Sequence, residues 1–320
     1  MSSFHAAVEQ EFTAVNQMIV DRLHSDVELV ENIGHYIVEG GGKRLRPVVA
    51  LLSAMVCGYR GEQHITAAVI VEFIHTATLL HDDVVDLSTL RRGRKTANAQ
   101  WGNAPSVLVG DFIYSRAFQM MVELGNLQIM QVMADATNVI AEGEVEQLVN
   151  AGNGQLAEPA YYSVIYKKTA KLFEAAAELG GCVAAAPDAE RRALRDYGRH
   201  LGNAFQIVDD LLDYCGSQEA IGKSLGDDLA EGKMTLPLIY ARDNGSAQQA
   251  ELISNAIASK SSERFEEIVA AVVSSGAVDY CRGAANDQVV EAKAALAGLA
   301  QSPQKTVLAE LADFAIARTH

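Results

Sequence analysis

The sequence has 320 residues, of which 49% are hydrophobic and 21% charged, so the chain is long enough and apolar enough to bury a large core. Its formal net charge of -15 disfavours nucleic acid and anionic membrane as general partners, because like charges repel. Its four cysteines lack the spacing of a zinc or redox motif, so the sequence does not support such a site, and scattered cysteines suit a reducing cytoplasm.

The N-terminus, MSSFHAAVEQEF, lacks a basic region followed by an apolar run, so we expect no signal peptide. The most apolar stretch, residues 65–80, contains Glu72 and His75 and is too short to span a bilayer, so we expect no transmembrane segment. No segment resembles an interdomain linker. These features predict a cytoplasmic protein with a single domain over residues 1–320.

Apolar residues recur with helical periodicity along most of the chain, and no convincing run of alternating strand residues is present. This pattern predicts an all-α fold. Helices are predicted over residues 67–86, 106–124, 127–149, 161–179, 189–214 and 289–299, and loops over residues 87–103, 151–158 and 216–233.

A glycine-rich turn, GGGKRLRP at residues 40–47, leads into a helix whose first turn accommodates Pro47. Lys43 and Arg46 stand where backbone N–H groups and the helix dipole favour an anion. An ordinary loop with surface cations is the alternative. The three glycines favour a phosphate site.

The helix at residues 67–86 ends in the acidic motif HDDVVD. Asp82 and Asp86 are four residues apart and therefore share a face, where their mutual repulsion is relieved by a cation such as Mg²⁺. His75 precedes Asp82 by about two turns. Alone, His75 is more typical of a core histidine, and one acidic motif is as typical of a solvated helix end.

Basic residues follow the first acidic motif. Arg91 and Arg92 could hold phosphate oxygens in bidentate fashion, although a solvated loop pair is the alternative. Lys168, Thr169, Gln206, Lys223 and Lys233 are each more typical of surface residues when taken singly.

A second DDxxD motif includes Asp209 and Asp213. Because the motif occurs twice, chance solvated helix ends explain the acidic residues poorly. The repetition predicts two helices that face one cavity. A third acidic pair, at residues 227–228, is predicted to be solvated or to support the site. The GKS sequence at residues 222–224 is not a P-loop, because Gly216 is one residue too distant and no strand precedes it.

Four segments together closely resemble the trans-isoprenyl diphosphate synthases: GGGKRLRP, HDDVVD followed by RRG, KT within YKKTAKLFEAAA, and FQIVDDLLDY followed by GKSLGDDLAEGK. The match runs in order from about residue 27 to about residue 241. EFIHTATLLHDDVVD and SVLVGDFIYSRAFQMM look most like the bacterial members that make octaprenyl diphosphate. The resemblance implies the isoprenoid synthase fold, an orthogonal bundle of antiparallel helices around a deep central cavity, in a homodimer.

The resemblance also implies a role for each candidate residue. Asp82 and Asp86, with Asp83 nearby, would bind two Mg²⁺ ions, and Asp209, supported by Asp213, would bind a third. Isopentenyl diphosphate would be held by Lys43, Arg46, His75 and Arg92, and the allylic diphosphate by Arg91, Lys168, Lys223 and Lys233. Thr169 and Gln206 would lie beside the reacting carbons. Loss of diphosphate from the allylic substrate would give a cation that isopentenyl diphosphate attacks, and the released diphosphate would take the proton.

Ala77 stands five residues before the first acidic motif, where short-chain members of the family carry an aromatic residue. A small residue there implies a long product, octaprenyl diphosphate or a near neighbour made from farnesyl diphosphate. Such a product would supply a quinone side chain, and its release could involve transient contact with a membrane. A shorter-chain, geranylgeranyl-type synthase is the alternative.

Three other activities fit the sequence less well. An HD phosphohydrolase would use the His81–Asp82 dyad but would leave the second acidic motif unexplained. A non-catalytic subunit of a heteromeric prenyl synthase would be expected to lose its acidic motifs, and both are whole here. A terpene cyclase would have no use for GGGKRLRP.

Overall fold

The computed structural model describes residues 3–216 and 225–317. Within these ranges the regular elements are helices, apart from one hairpin of two short strands, so the predicted all-α class is confirmed. The helices, in chain order, are α1 (Ser3–Ala6), α2 (Glu9–Arg22), α3 (Glu28–Glu39), α4 (Leu45–Val56), α5 (Gln63–Val85), α6 (Ala97–Trp101), α7 (Asn103–Leu124), α8 (Leu127–Asn150), α9 (Glu158–Ile165), α10 (Lys171–Val183), α11 (Asp188–Cys215), α12 (Asp227–Ala230), α13 (Leu236–Asn244), α14 (Ala247–Ser259), α15 (Phe265–Ser274), α16 (Ala277–Ala295) and α17 (Pro303–Ala317).

Three sequence predictions need correction. The described part of the predicted loop at residues 216–233 contains the short helix α12. The predicted loop at residues 87–103 contains the strands β1 (Leu90–Arg91) and β2 (Arg94–Lys95), followed by α6, whose first turn is capped by the Thr96 hydroxyl. The predicted helix at residues 161–179 is interrupted by a π-helical turn over Tyr166–Ala170. The strands have two residues each, too few to show an alternating pattern.

The described residues form two compact units. The first contains residues 3–137, 172–198 and 295–311, and the second contains residues 138–171, 199–216, 225–294 and 312–317. The glycine-rich turn and the first acidic motif belong to the first unit. The π-helical turn and the second acidic motif belong to the second.

In the first unit, α5 packs against α2, α4 and α7. By length and composition alone α5 could cross a membrane, but 61% of its apolar window is buried inside the protein, as in the core helix of a globular unit. Helix α10 approaches α4 so closely that a Cβ on Gly180 would lie 2.5 Å from the backbone nitrogen of Ala54. This packing holds the first acidic motif at the end of a fixed helix.

The core of the second unit joins α9 and α11 to α13, α14, α15 and α16 through buried side chains that include Ile165, Ile207 and Leu211. Helix α14 begins with a capping box in which Ser246 and Gln249 each bond the other's backbone N–H. This core fixes α11, which carries the second acidic motif.

Candidate active site

The first acidic motif presents two carboxylates on one partly exposed face of α5. His75, Thr78, Asp82 and Asp86 are all half-buried, and around the helix axis each of the others points within about 40° of the direction of Asp82. Ala77 is turned about 140° away from Asp82, and its side chain has no exposed surface. The structure therefore places the two predicted metal ligands together, whereas the predicted role of Ala77 in product length stays a prediction.

Asp83 anchors the hairpin that follows α5. Its side chain is fully buried, and its Oδ1 accepts hydrogen bonds from Nε of Arg91 at 2.9 Å and from Nη2 at 2.7 Å. Asn98 donates to the backbone oxygen of Asp83 at 3.0 Å, which ties α6 to the same point. Asp83 thus holds the position of Arg91 and does not lie on the half-buried face of Asp82 and Asp86.

The hairpin turn brings Arg92 to the glycine-rich turn. Arg92 and Gly93 both have positive φ, 52° and 74°, as a two-residue type I′ turn between β1 and β2 requires. A Cβ on Gly42 would lie 2.7 Å from Nη1 of Arg92. Only glycine therefore allows the guanidinium to lie against this backbone, and the predicted pairing of Arg92 with GGGKRLRP is present in the fold.

Arg46 and His75 lie together beside Phe173. Nη1 of Arg46 lies 3.3 Å from Nε2 of His75, and the guanidinium carbon lies 4.3 Å from the centre of the Phe173 ring. Burial lowers the pKa of Arg46 to about 10. Burial and the neighbouring guanidinium of Arg46 hold the pKa of His75 well below its usual value. His75 is therefore neutral near pH 7, and its Nε2 accepts from Arg46, which can only donate.

Three arginines, Arg44, Arg46 and Arg92, lie near one carboxylate, Glu72. We call these four residues the arginine cluster. Burial raises the pKa of Glu72, while Arg44, Arg46 and Arg92 act in the opposite direction. Oε1 of Glu72 lies 3.8 Å from Nη1 of Arg44. Three guanidinium groups against one carboxylate leave excess positive charge, which favours a bound anion.

Sequence reasoning missed Arg44 and Glu72. Glu72 falls on a buried helix, where a single acid carries no motif, and Arg44 was part of GGGKRLRP without a role. Arg44 has a left-handed backbone conformation, φ 43°, at the start of α4. Lys43 is exposed beside it, and its backbone oxygen accepts from Nε2 of His5 at 2.9 Å.

In the second unit, the π-helical turn carries Lys168 and Thr169. It lies so close to α8 that a Cβ on Gly143 would come within 2.6 Å of the Lys167 Cβ and 2.9 Å of the Lys168 backbone nitrogen. Nζ of Lys168 donates to Oε2 of Glu144 at 2.7 Å. A π-turn adds a residue to the helix without ending it, and such turns are frequent at functional sites.

A chain of hydrogen bonds runs through the second unit from Thr169 to Tyr161. The Thr169 hydroxyl donates to Oε1 of Gln206 at 2.7 Å, and Nε2 of Gln206 donates to Oδ1 of Asp210 at 2.7 Å. The Tyr161 hydroxyl donates to Oδ2 of the same carboxylate at 2.7 Å. The structure brings the predicted pair Thr169 and Gln206 together. It adds Tyr161, which sequence reasoning missed, and Asp210, which lies in the second acidic motif without a predicted role of its own.

The first and last aspartates of the second acidic motif differ in burial. Asp209 is half-buried, whereas Asp213 is fully buried and its Oδ2 accepts from the backbone nitrogen of Asp228 at 3.2 Å. Asp228 in turn accepts, through its backbone oxygen, from the nitrogen of Lys233 at 2.8 Å. Asp213 therefore fixes the segment that carries Lys233, whose Nζ forms an ion pair with Glu231.

One predicted diphosphate ligand cannot be placed. Lys223 lies outside the described residues. Lys168 and Lys233 both lie in the second unit, and each is half-buried with a carboxylate partner. A diphosphate would have to share or replace those partners.

Asp82 and Asp86 fit Mg²⁺ only as a site completed by other ligands. No group of three or more His, Cys, Asp or Glu residues that could hold a metal ion occurs within residues 3–216 and 225–317. Mg²⁺ usually keeps several waters and takes one or two carboxylates together with substrate phosphates. The paired carboxylates on the half-buried face of α5 match that donor set.

His81 does not form a dyad with Asp82. Its Nε2 lies 3.3 Å from Oδ1 of Asp111 and 3.2 Å from the backbone oxygen of Val107 on α7. A Cβ on Gly110 would lie 2.4 Å from the same nitrogen. The imidazole thus packs into α7, which removes the basis for an HD phosphohydrolase site.

A family model, curated relatives and solved structures all match this chain to polyprenyl synthases. The model of the polyprenyl synthetase family matches residues 27–273. The octaprenyl diphosphate synthase of Escherichia coli strain K12 is 51% identical over 97% of this chain and 96% of its own length, and the all-trans-nonaprenyl-diphosphate synthase (geranyl-diphosphate specific) of Rhodobacter capsulatus is 44% identical over 98% and 96%. A crystal structure of a polyprenyl synthase from Caulobacter crescentus CB15, complexed with calcium and isoprenyl diphosphate, superposes with a TM-score of 0.96 at 44% identity over 99% of this chain and 97% of that one.

Proposed function

This chain belongs to the polyprenyl synthetase family, and we propose that it makes a long trans-polyprenyl diphosphate by adding isopentenyl diphosphate repeatedly to an allylic diphosphate. It is a prenyltransferase with the all-α isoprenoid synthase fold. The relatives named octaprenyl and nonaprenyl diphosphate synthase support a long product. Octaprenyl diphosphate, or a near neighbour built on farnesyl diphosphate, is the proposed product, and a quinone side chain its proposed use.

The observation that carries this proposal is the arginine cluster beside a neutral His75. Arg46 and Arg92 stand next to the glycine-rich turn, and their positive charge exceeds the single negative charge of Glu72. A diphosphate with several charged oxygens complements such an excess, and guanidinium groups bind phosphate in bidentate geometry. Together with Lys43, these residues are the proposed site for isopentenyl diphosphate.

The two acidic motifs are the proposed Mg²⁺ ligands. Asp82 and Asp86 would hold two ions and Asp209 a third, with Asp213 keeping the neighbouring segment in place. When bound, Mg²⁺ neutralises charge on a diphosphate and so lowers the barrier to its departure.

Lysine and arginine side chains are the proposed ligands of the allylic diphosphate: Arg91, Lys168, Lys223 and Lys233. Arg91 is held by Asp83, and Lys168 by Glu144, so neither side chain must be ordered when substrate binds. Fixed charges of this kind stabilise charge that builds on a leaving oxygen without reorganising. Thr169 and Gln206 are proposed to lie beside the reacting carbons.

We also propose that residues 1–320 act as one domain, in a cytoplasmic homodimer that contacts a membrane transiently when product leaves. Exposed apolar side chains on α7 support a protein–protein surface, since Leu108 is 66% and Val122 is 63% exposed. Tyr114 and Phe118 line a groove on the same helix. A second copy of the chain is the proposed occupant of this face.

The proposal is tested by diphosphate release. The protein is incubated with isopentenyl diphosphate and with either farnesyl or geranyl diphosphate, before and after Mg²⁺ is removed by a chelator. We expect release only when both substrates and Mg²⁺ are present, and its return when Mg²⁺ is added back. Release from the allylic substrate alone, at the same rate, would identify a hydrolase instead.

A further inference from the structure

Tyr161 and Asp210, the middle aspartate of the second acidic motif, are not among the individual residues proposed to bind metal or diphosphate, yet both are buried next to residues proposed to lie beside the reacting carbons. Tyr161 is 3% exposed and Asp210 is 4% exposed. They are 49 positions apart in sequence and meet through a single hydrogen bond of 2.7 Å. A buried carboxylate is costly unless its oxygens are bonded, so its partners are part of its function.

Asp210 accepts one hydrogen bond on each oxygen. Oδ2 accepts from the Tyr161 hydroxyl and Oδ1 from the Gln206 amide nitrogen. Because both oxygens of Asp210 are acceptors in these contacts, the NH₂ side of the Gln206 amide faces Asp210. The Gln206 carbonyl must then point the other way, towards Thr169.

The orientation of Gln206 decides the direction of the next hydrogen bond. Oε1 of Gln206 can only accept, so the Thr169 hydroxyl must donate its one proton to it, at 2.7 Å. The lone pairs of the Thr169 oxygen are then the groups left to face another molecule. Lone pairs stabilise a positive charge nearby, such as that of the proposed allylic cation, whereas a hydroxyl proton pointing at it would destabilise it.

We propose that Tyr161, through Asp210, is a positioning residue that fixes the Gln206 amide and thereby the direction of the Thr169 hydroxyl. This inference rests on the proposed function of the same site. Without the Tyr161 hydroxyl, Oδ2 of the buried Asp210 loses its donor, and the carboxyl group that orients the Gln206 amide is less firmly fixed. Rotation of the amide would reverse the whole chain and turn the Thr169 proton outwards.

The test is Tyr161→Phe, with Tyr162→Phe as the matched control. Tyr162 is the adjacent, half-buried tyrosine, and its ring lies 5.5 Å from that of Tyr161. For Tyr161→Phe we expect kcat to fall about tenfold, near the upper end of the loss expected when one hydrogen bond is removed. We expect the KM of both substrates to stay within about twofold, because no diphosphate ligand is changed. Tyr162→Phe should keep kcat within about twofold.

A double-mutant cycle separates positioning from general packing. In a Gln206→Leu background the amide is absent, so Tyr161→Phe should no longer change the residual rate, measured as incorporation of labelled isopentenyl diphosphate. An equal fold-loss in both backgrounds, or a kcat for Tyr161→Phe within twofold of wild type, would overturn the proposal. If Gln206→Leu has no measurable rate, the Tyr161→Phe single variant decides. A rise in the KM of both substrates overturns the proposal, and a loss confined to kcat supports it. Wild-type protein without any transfer would refute the proposed function itself.

Discussion

Nη1 of Arg46 and Nε2 of His75 lie 3.3 Å apart in the first unit, which fixes both the protonation and the tautomer of the histidine. A guanidinium offers only donors, so His75 must be neutral and carry its proton on Nδ1. The pair couples the glycine-rich turn before α4 to the face of α5 that bears Asp82. Two predictions concern this pair directly.

The first prediction concerns stability and pH. The pKa of His75 in the folded protein lies well below its usual value of 6.5, so the unfolded chain binds an additional proton in the range just below pH 6.5. The stability from neutral His75 is complete above that value and is lost as pH falls. Replacing His75 by Gln keeps an acceptor but removes the titration. The free energy of unfolding of wild type should therefore fall more steeply than that of His75→Gln below pH 6.5, by up to about 1.4 kcal/mol per pH unit.

Denaturant titrations at pH 7.5, 6.5 and 5.5 measure this difference. His24→Gln is the control, because the His24 side chain is 78% exposed. Parallel pH profiles of wild type and His75→Gln would contradict a neutral His75.

The second prediction separates the two diphosphates. Arg46→Ala removes a guanidinium of the arginine cluster and should raise the KM for isopentenyl diphosphate more than that for the allylic substrate. Lys233→Ala should show the opposite ordering, because Lys233 belongs to the other proposed pocket. Steady-state kinetics with each substrate varied in turn gives both values. If the two orderings are exchanged, the pockets have been assigned to the wrong residues.

The third prediction concerns the acidic motifs. Asp82→Ala or Asp209→Ala should lower turnover by several orders of magnitude at saturating Mg²⁺, because each removes a ligand of the charge-stabilising ions. Asp111→Ala is the matched control, since this exposed aspartate on α7 pairs with His81 and not with a substrate group. We expect the control to stay within about twofold of wild type. Near-normal rates in either motif variant would contradict the metal site.

The fourth prediction concerns product length. Ala77 lies about 7.5 Å along α5 from Asp82 and is fully buried, so a tyrosine there must displace close-packed neighbours. Ala77→Tyr should therefore stop elongation at about farnesyl to geranylgeranyl length, while the first addition stays within roughly tenfold of wild type. Ala77→Ser, of nearly unchanged size, should keep the full length. Chromatography of dephosphorylated products decides, and full-length product from Ala77→Tyr would show that the tail does not pass this residue.

Much of the fold could be predicted because α5, α7, α8 and α11 are long, with 22 to 28 residues each. The hairpin could not, because its strands are two residues each and its turn places an arginine at positive φ. The π-turn could not either, since YKKTA has only five residues, too few for a shift of one residue to be recognised in the helical pattern. The spacing of residues along the sequence therefore predicts neither the hairpin nor the π-turn.

The site divides in the same way. Asp82 and Asp86 share a face because they are one turn apart, which spacing alone predicts. Asp83 shares their motif, but its burial against Arg91 depends on the hairpin. The bond between Tyr161 and Asp210 joins two helices across 49 positions, and a single sequence contains no sign of such a pair.

The most direct test of the central claim is the length of the product. Wild-type protein is incubated with labelled isopentenyl diphosphate, farnesyl diphosphate and Mg²⁺, and the dephosphorylated products are separated by chromatography against standards. The account predicts a distribution that ends at octaprenyl or a near neighbour. Products that end at geranylgeranyl length, or no transfer to the allylic substrate, would contradict it.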